Sequence, residues 1–118
     1  MKFREFSEIN KRRCEAPDGF NKPVDHWSLS DWFTATMGEL GEAANVAKKL
    51  NRIRDGIPGN GDITEAELRS NLADEIADTF IYLDLLAQSQ GIDLQRAVVH
   101  KFNKTSQKIG YVQLTASE

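Results

Sequence analysis

The chain has 118 residues, a size that suits one domain over residues 1–118, and 40% of it is hydrophobic, enough for a core. A net charge of −3 and a pI near 5.4 argue against a nucleic-acid polymer as partner, because such partners call for a basic face. They leave room for a small anion, since a bound divalent metal supplies positive charge locally.

No stretch suits a membrane span. The best apolar run, residues 79–87, is short and carries Asp84. The single cysteine, Cys14, can form no internal disulfide. A reducing compartment, and so a cytoplasmic location, is the expectation.

In chain order, residues 3–13 predict a first amphipathic helix, with Phe3, Phe6, Ile9 and Asn10 at helical spacing. Pro17, Gly19 and Pro23 mark residues 16–27 as a loop. Ser28 to Asp31 has the pattern of a capping box and opens a second helix. Its apolar positions include Leu29, Trp32, Phe33, Met37 and Leu40, and basic residues crowd its C-terminal end. Residues 55–63, rich in glycine, predict a connector.

Thr64 to Glu67 is a second capping pattern and starts a third helix running to about residue 90. Its apolar face reads Leu68, Leu72, Ile76, Phe80, Leu83 and Leu86. Gly91 suits a C-terminal cap. Asp93 caps a fourth helix to about residue 108, with Leu94, Ala97, Val98 and Phe102 expected inward. Residues 111–118 are a tail. The expected fold is all-α, a four-helix-bundle core over about residues 28–110, with helices two and three as an antiparallel pair.

Two acidic pairs stand out. Glu39 and Glu42 are three apart on helix two, and Glu75 and Asp78 are three apart on helix three. That separation sets side chains about 60° apart around the axis and about 4.5 Å along it, so both members reach one small volume. If the two helices register these pairs opposite each other, four carboxylates converge. Hard oxygen ligands in that number suit Mg²⁺, with Mn²⁺ as the other candidate, and not zinc. Glu39 continues the stripe Trp32, Ala35, Glu42, Val46, and Glu75 continues Leu68, Leu72, Thr79, Tyr82, which places them at the core's edge. Other acidic pairs, Glu5 with Glu8 and Asp62 with Glu65, lie on a terminal helix and in the connector and read as solvated. On spacing alone, two solvated acidic faces that never meet remain open. A di-iron centre needs Glu-x-x-His pairs. The only histidines, His26 and His100, have Pro23 and Ala97 three residues before them, so that pattern is absent.

Glu39-Leu40-Gly41-Glu42 followed by Glu75-Ile76-Ala77-Asp78 resembles the ExxE…ExxD signature of the MazG-like all-α nucleoside triphosphate pyrophosphohydrolases. The resemblance spans about residues 28–110 and includes Lys101-Phe102-Asn103-Lys104. It implies hydrolysis between the α- and β-phosphates, giving a nucleoside monophosphate and pyrophosphate. It also implies Glu39, Glu42, Glu75 and Asp78 as metal ligands, and a homodimer or homotetramer. Glu39 is the candidate for orienting the attacking water. Gly38 stands where some relatives carry another acid. Phosphoribosyl-ATP is an alternative substrate, and a non-enzymatic helical regulatory module is an alternative function.

Lys101, Lys104 and Lys108 fall on one helical face and are expected, with Asn103 beside them, to meet phosphates; the other reading is a basic helix end favoured by the dipole. Trp32 is a candidate for stacking on a base or for the core, and Phe33 for the core. Asn10 and Arg13 are candidates for ligand contact or for a solvated role. Gly38 and Gly41 inside a helix suggest close approach of a facing helix or of the substrate.

Overall fold

A computed structural model of the chain describes residues 1–115 as four α-helices: α1 (Phe3–Glu15), α2 (Leu29–Asp55), α3 (Glu65–Ser89) and α4 (Leu94–Ile109). No strand occurs among the described residues, and none of their helices is long and apolar enough to cross a membrane. The start signals act as the residue types demand. Ser28 Oγ accepts from the Asp31 N–H while the Asp31 carboxylate accepts from the Ser28 N–H. Thr64 and Glu67 repeat the exchange before α3. The Asp93 carboxylate accepts from the Arg96 N–H at the head of α4. Each cap satisfies donors that the first helical turn leaves without partners. Gly56 and Gly110 close α2 and α4 in the left-handed region, where a side chain would be strained.

The chain divides into two compact units. One comprises residues 27–83, that is α2 and most of α3. Trp32 meets Tyr82 with ring centroids 6.3 Å apart, and Glu39 meets Glu75 and Asp78. As one index rises the other falls, so α2 and α3 run antiparallel. Trp32 is only 1% exposed and also packs on Trp27 at 4.7 Å. Leu68 and Ala43 are buried with it. The connector is pinned to the end of α2: Asn60 Nδ2 donates to the Lys49 carbonyl at 2.8 Å, and Arg52 donates to Asn60 Oδ1 at 3.4 Å.

The other unit comprises residues 1–26 and the chain from Asp84 onward. Its polar centre is Asp84, fully buried at 0% exposure. The Asp84 carboxylate accepts from Ser7 Oγ at 2.7 Å, Asn10 Nδ2 at 2.9 Å and Gln88 Nε2 at 3.0 Å. α1 is thereby fastened to the last turns of α3. Cys14 is buried and donates to the Lys22 carbonyl.

Several apolar positions differ from the expected faces. On α4, Val98 and Phe102 are 56% and 43% exposed and Ala97 is exposed, while Ser106 is buried and Gln95 and Val99 are half-buried. The helix is rotated so that a face of mixed polarity turns inward. Phe33, Met37 and Leu40 on α2, and Ile76, Phe80 and Leu83 on α3, are likewise exposed, as is Ile9 on α1. Their periodicity marks an apolar face but does not say what covers it.

Replacing Asp84 by alanine removes the acceptor shared by the buried Asn10 and the half-buried Ser7 and Gln88. Urea unfolding of Asp84→Ala is expected to show a loss of about 3 kcal/mol. A change below about 1 kcal/mol would contradict the fastening role.

Candidate metal centre

The spacing that suggested a cluster acts through ordinary helix geometry. With Trp32 and Glu75 taken as the inward directions of α2 and α3, Glu39 lies within roughly 20° of inward at 100° per residue. Glu42 and Asp78 fall roughly 60–80° to one side, both on the same flank of the antiparallel pair. Burial follows that layout. Glu39 and Glu75 are half-buried, whereas Glu42 and Asp78 are exposed.

One carboxylate oxygen each from Glu39, Glu75 and Asp78 lie within 4.8 Å of one another. Glu42 stands outside that set of three, but its carboxyl is within hydrogen-bonding reach of both Glu39 and Glu75. All four expected acids therefore meet. Glu39 Oε2 and Glu75 Oε2 are buried and have no hydrogen-bond partner among the described residues. Buried acceptors without donors are uncommon and costly.

Crowding of acceptors shows in the protonation behaviour. Burial pushes the Glu39 carboxyl above its ordinary value of 4.5, the charges of Glu42 and Asp78 push it further, and the contact with Glu75 opposes the rise. Glu75 is pushed up to about 7, first by the hydrogen bond it shares with Glu42, then by burial and by the charges of Glu42 and Glu39. Carboxylates this close share a proton rather than all ionise. The same oxygens are what a hard divalent cation requires. The 4.8 Å span is near the distance of about 4.2 Å across an octahedral Mg²⁺ shell.

The remaining candidates fall in both units. Trp32 is part of the core, covered by Trp27 and Tyr82, and offers no free face to a base. Phe33, expected in the core, is exposed. Asn10 and Arg13 belong to the other unit. Asn10 is buried with its amide donating to Asp84, and the Arg13 guanidinium lies 5.4 Å over the Phe20 ring. Lys101, Lys104 and Lys108 do share an exposed face of α4 and line a groove of about 300 Å³ with Thr105 and Gln107.

Asn103 is not beside those lysines. Two residues from Lys101, it points roughly 200° away around the helix. Its amide holds the tail: Oδ1 accepts from the Leu114 N–H at 2.6 Å and Nδ2 donates to the Leu114 carbonyl at 2.9 Å. Gly38 and Gly41 meet no close neighbour either, since a Cβ at each would touch nothing within 4 Å. Packing of a facing helix does not explain them. Asp84 was visible in the sequence only as a charge inside an apolar run. That is the mark of a buried, satisfied acid, but its partners on α1 carry no local signal.

Comparison with known protein families, with curated proteins and with solved structures found no match for this chain.

The raised Glu75 value makes metal-free stability depend on pH. Between 4.5 and about 7 the folded protein holds a proton that the unfolded chain has released. Stability from this group is therefore lost as pH rises through that window. In EDTA, the melting temperature of Glu75→Gln is expected to fall less than that of the parent between pH 5 and pH 7.5. At pH 7.5 the variant should be equally or more stable. Parallel pH profiles, or a variant clearly weaker at pH 7.5, would contradict the crowding of these acids.

Proposed function

We propose that this chain is a Mg²⁺-dependent nucleoside triphosphate pyrophosphohydrolase of the all-α type, with Mn²⁺ as a competent substitute. The observation that carries the reading is the meeting of Glu39, Glu75 and Asp78 oxygens within 4.8 Å, with Glu42 in contact. Two of the buried oxygens there have no hydrogen-bond partner among the described residues. Acceptors gathered without donors fit a cation better than they fit one another. The ExxE and ExxD pairs that supply them are the residues of the MazG-like resemblance, and the four-helix, all-α fold is of the kind that resemblance implies.

In this reading Glu39, Glu42, Glu75 and Asp78 hold the metal. When bound, a divalent cation neutralises charge on phosphate oxygens and lowers the pKa of a water in its shell. The chain's own work is positioning. Glu42 and Asp78, on the exposed flank, hold the open side of the centre toward the ligand. Glu39, half-buried and with one oxygen unpartnered, accepts a hydrogen bond from the attacking water and sets its line of approach. Hydrolysis between the α- and β-phosphates then gives a nucleoside monophosphate and pyrophosphate. The exposed Lys101 and Lys104 are candidates for added phosphate contact. Trp32 and Asn10 are buried and are left out of the ligand contacts in this reading. Assembly as a homodimer or homotetramer in the cytoplasm belongs to the same proposal.

The test is a panel of nucleoside and deoxynucleoside triphosphates, with phosphoribosyl-ATP included, incubated with Mg²⁺. Release of pyrophosphate, and not orthophosphate, is expected from at least one compound. Glu39→Gln should lower the rate by at least about 100-fold. Pyrophosphate from phosphoribosyl-ATP alone would move the substrate and keep the chemistry. No turnover of any compound, with no metal binding, would replace the enzyme by a non-catalytic helical module.

A further inference from the structure

Charge is unevenly spread along the chain. From residue 94 to residue 115 there is no Asp or Glu, while Arg96, Lys101, Lys104 and Lys108 are cationic. The whole chain is net −3, so α4 gives an acidic protein one basic face. Lys101, Lys104 and Lys108 are exposed and line a groove of about 300 Å³ with Thr105 and Gln107. None of the three lysines forms an ion pair among the described residues. At 100° per residue they lie within roughly 40° of the direction opposite buried Ser106, on the crest of the helix.

A second stripe runs beside the lysines. Val98, Phe102 and Ile109 are 56%, 43% and 73% exposed. They fall roughly 60–100° to one side of Lys101. The tail does not cover either stripe. Leu114 is tied to Asn103, which is roughly 100° or more around the helix from each of the six residues.

We propose that this face of α4 is a docking site for an acidic amphipathic helix of another protein. Its carboxylates would meet Lys101, Lys104 and Lys108, and its apolar side chains Val98, Phe102 and Ile109. Charge complementarity selects the sign of the partner. Spacing selects its form. The lysines stand three and four residues apart, about 4.5 Å and 6 Å along the axis, which are the steps at which a second helix presents side chains. The apolar stripe then gives the helix its second row of contacts.

Other polyanions fit less well. A bilayer is flat and takes a helix whose apolar side chains hold the crest. Here the lysines hold the crest and the apolar stripe lies on a flank. A nucleic-acid backbone would occupy the lysines and leave the apolar stripe in water, and the net charge of −3 opposes it. The proposal stands on charge, exposure and spacing. It does not need the hydrolase reading, in which Lys101 and Lys104 are candidates for phosphate contact.

The probe is a labelled, amidated peptide of about 18 residues, five turns of Ala, Glu and Leu, with Glu in steps of three and four and Leu on the adjoining strip. Fluorescence anisotropy in EDTA at about 50 mM salt, where exposed charges are less screened, should show it binding at least about tenfold more tightly than the same peptide with Gln for Glu. Lys101→Glu, Lys104→Glu and Lys108→Glu combined should weaken binding at least about tenfold, with helical circular dichroism retained. Phe102→Ser should weaken the Leu-bearing peptide at least about threefold more than a control with Ser for Leu. Equal affinity for the Gln peptide, or full binding by the triple variant, would overturn the proposal. So would tighter binding at the same salt to vesicles with about 30% phosphatidylserine or to a single-stranded RNA of about 15 nucleotides.

Amine acylation of the parent needs no substitution. The peptide should slow labelling of Lys101, Lys104 and Lys108 at least about fivefold relative to the exposed Lys48, because docked side chains are shielded from solvent. Unchanged rates, or protection by inorganic tripolyphosphate but not by the peptide, would overturn the proposal even if the charged variant fails to fold.

Discussion

Four acidic side chains gathered at the seam and on one flank of a helical hairpin set the terms for the structure around them. Glu39 and Glu75 point inward because the same turns place Trp32 and Leu68 in the core. They cannot leave the seam without turning the hairpin's apolar contacts into water. The charged groups that act on Glu39 and Glu75 are other acids, and the ion pairs Arg4–Asp93, Arg54–Asp55 and Arg69–Glu65 lie elsewhere. What remains is a proton, which Glu75 keeps up to about pH 7, or a cation from outside. The metal role proposed for this site rests on that shortage of partners.

The contrast with Asp84 sharpens this. Asp84 is more deeply buried than any of the four, yet three neutral donors satisfy it. Burial alone does not make a carboxylate functional. The proposed function rests on unpartnered oxygens gathered from two helices, because stability by itself favours the arrangement seen at Asp84. The two units thus show the same residue class in two states, one closed and structural, the other open.

Much of the fold was legible in local chemistry. Ser28 with Asp31, Thr64 with Glu67, and Asp93 mark helix starts where they stand, because capping needs only residues three apart. The acidic pairs were legible for the same reason: three residues on a helix put two carboxylates in one volume. The meeting of the pairs was a wager on register, which no local pattern fixes. Lateral facing was the least legible. Phe33, Val98 and Phe102 have the spacing of core residues yet stay exposed, since periodicity identifies an apolar face without naming its partner. Asn103 misled because adjacency in sequence to Lys101 and Lys104 is not adjacency on a helix; its amide is taken by Leu114.

The most direct measurement is the binding of Mn²⁺ at pH 8, followed by the electron paramagnetic resonance signal of the free ion. The account predicts that the parent removes free Mn²⁺ from solution and that Glu39→Gln combined with Glu75→Gln does not, with both proteins folded. Equal signals from the two proteins, whether both bind or neither does, would contradict the claim that this seam exists to hold a divalent cation.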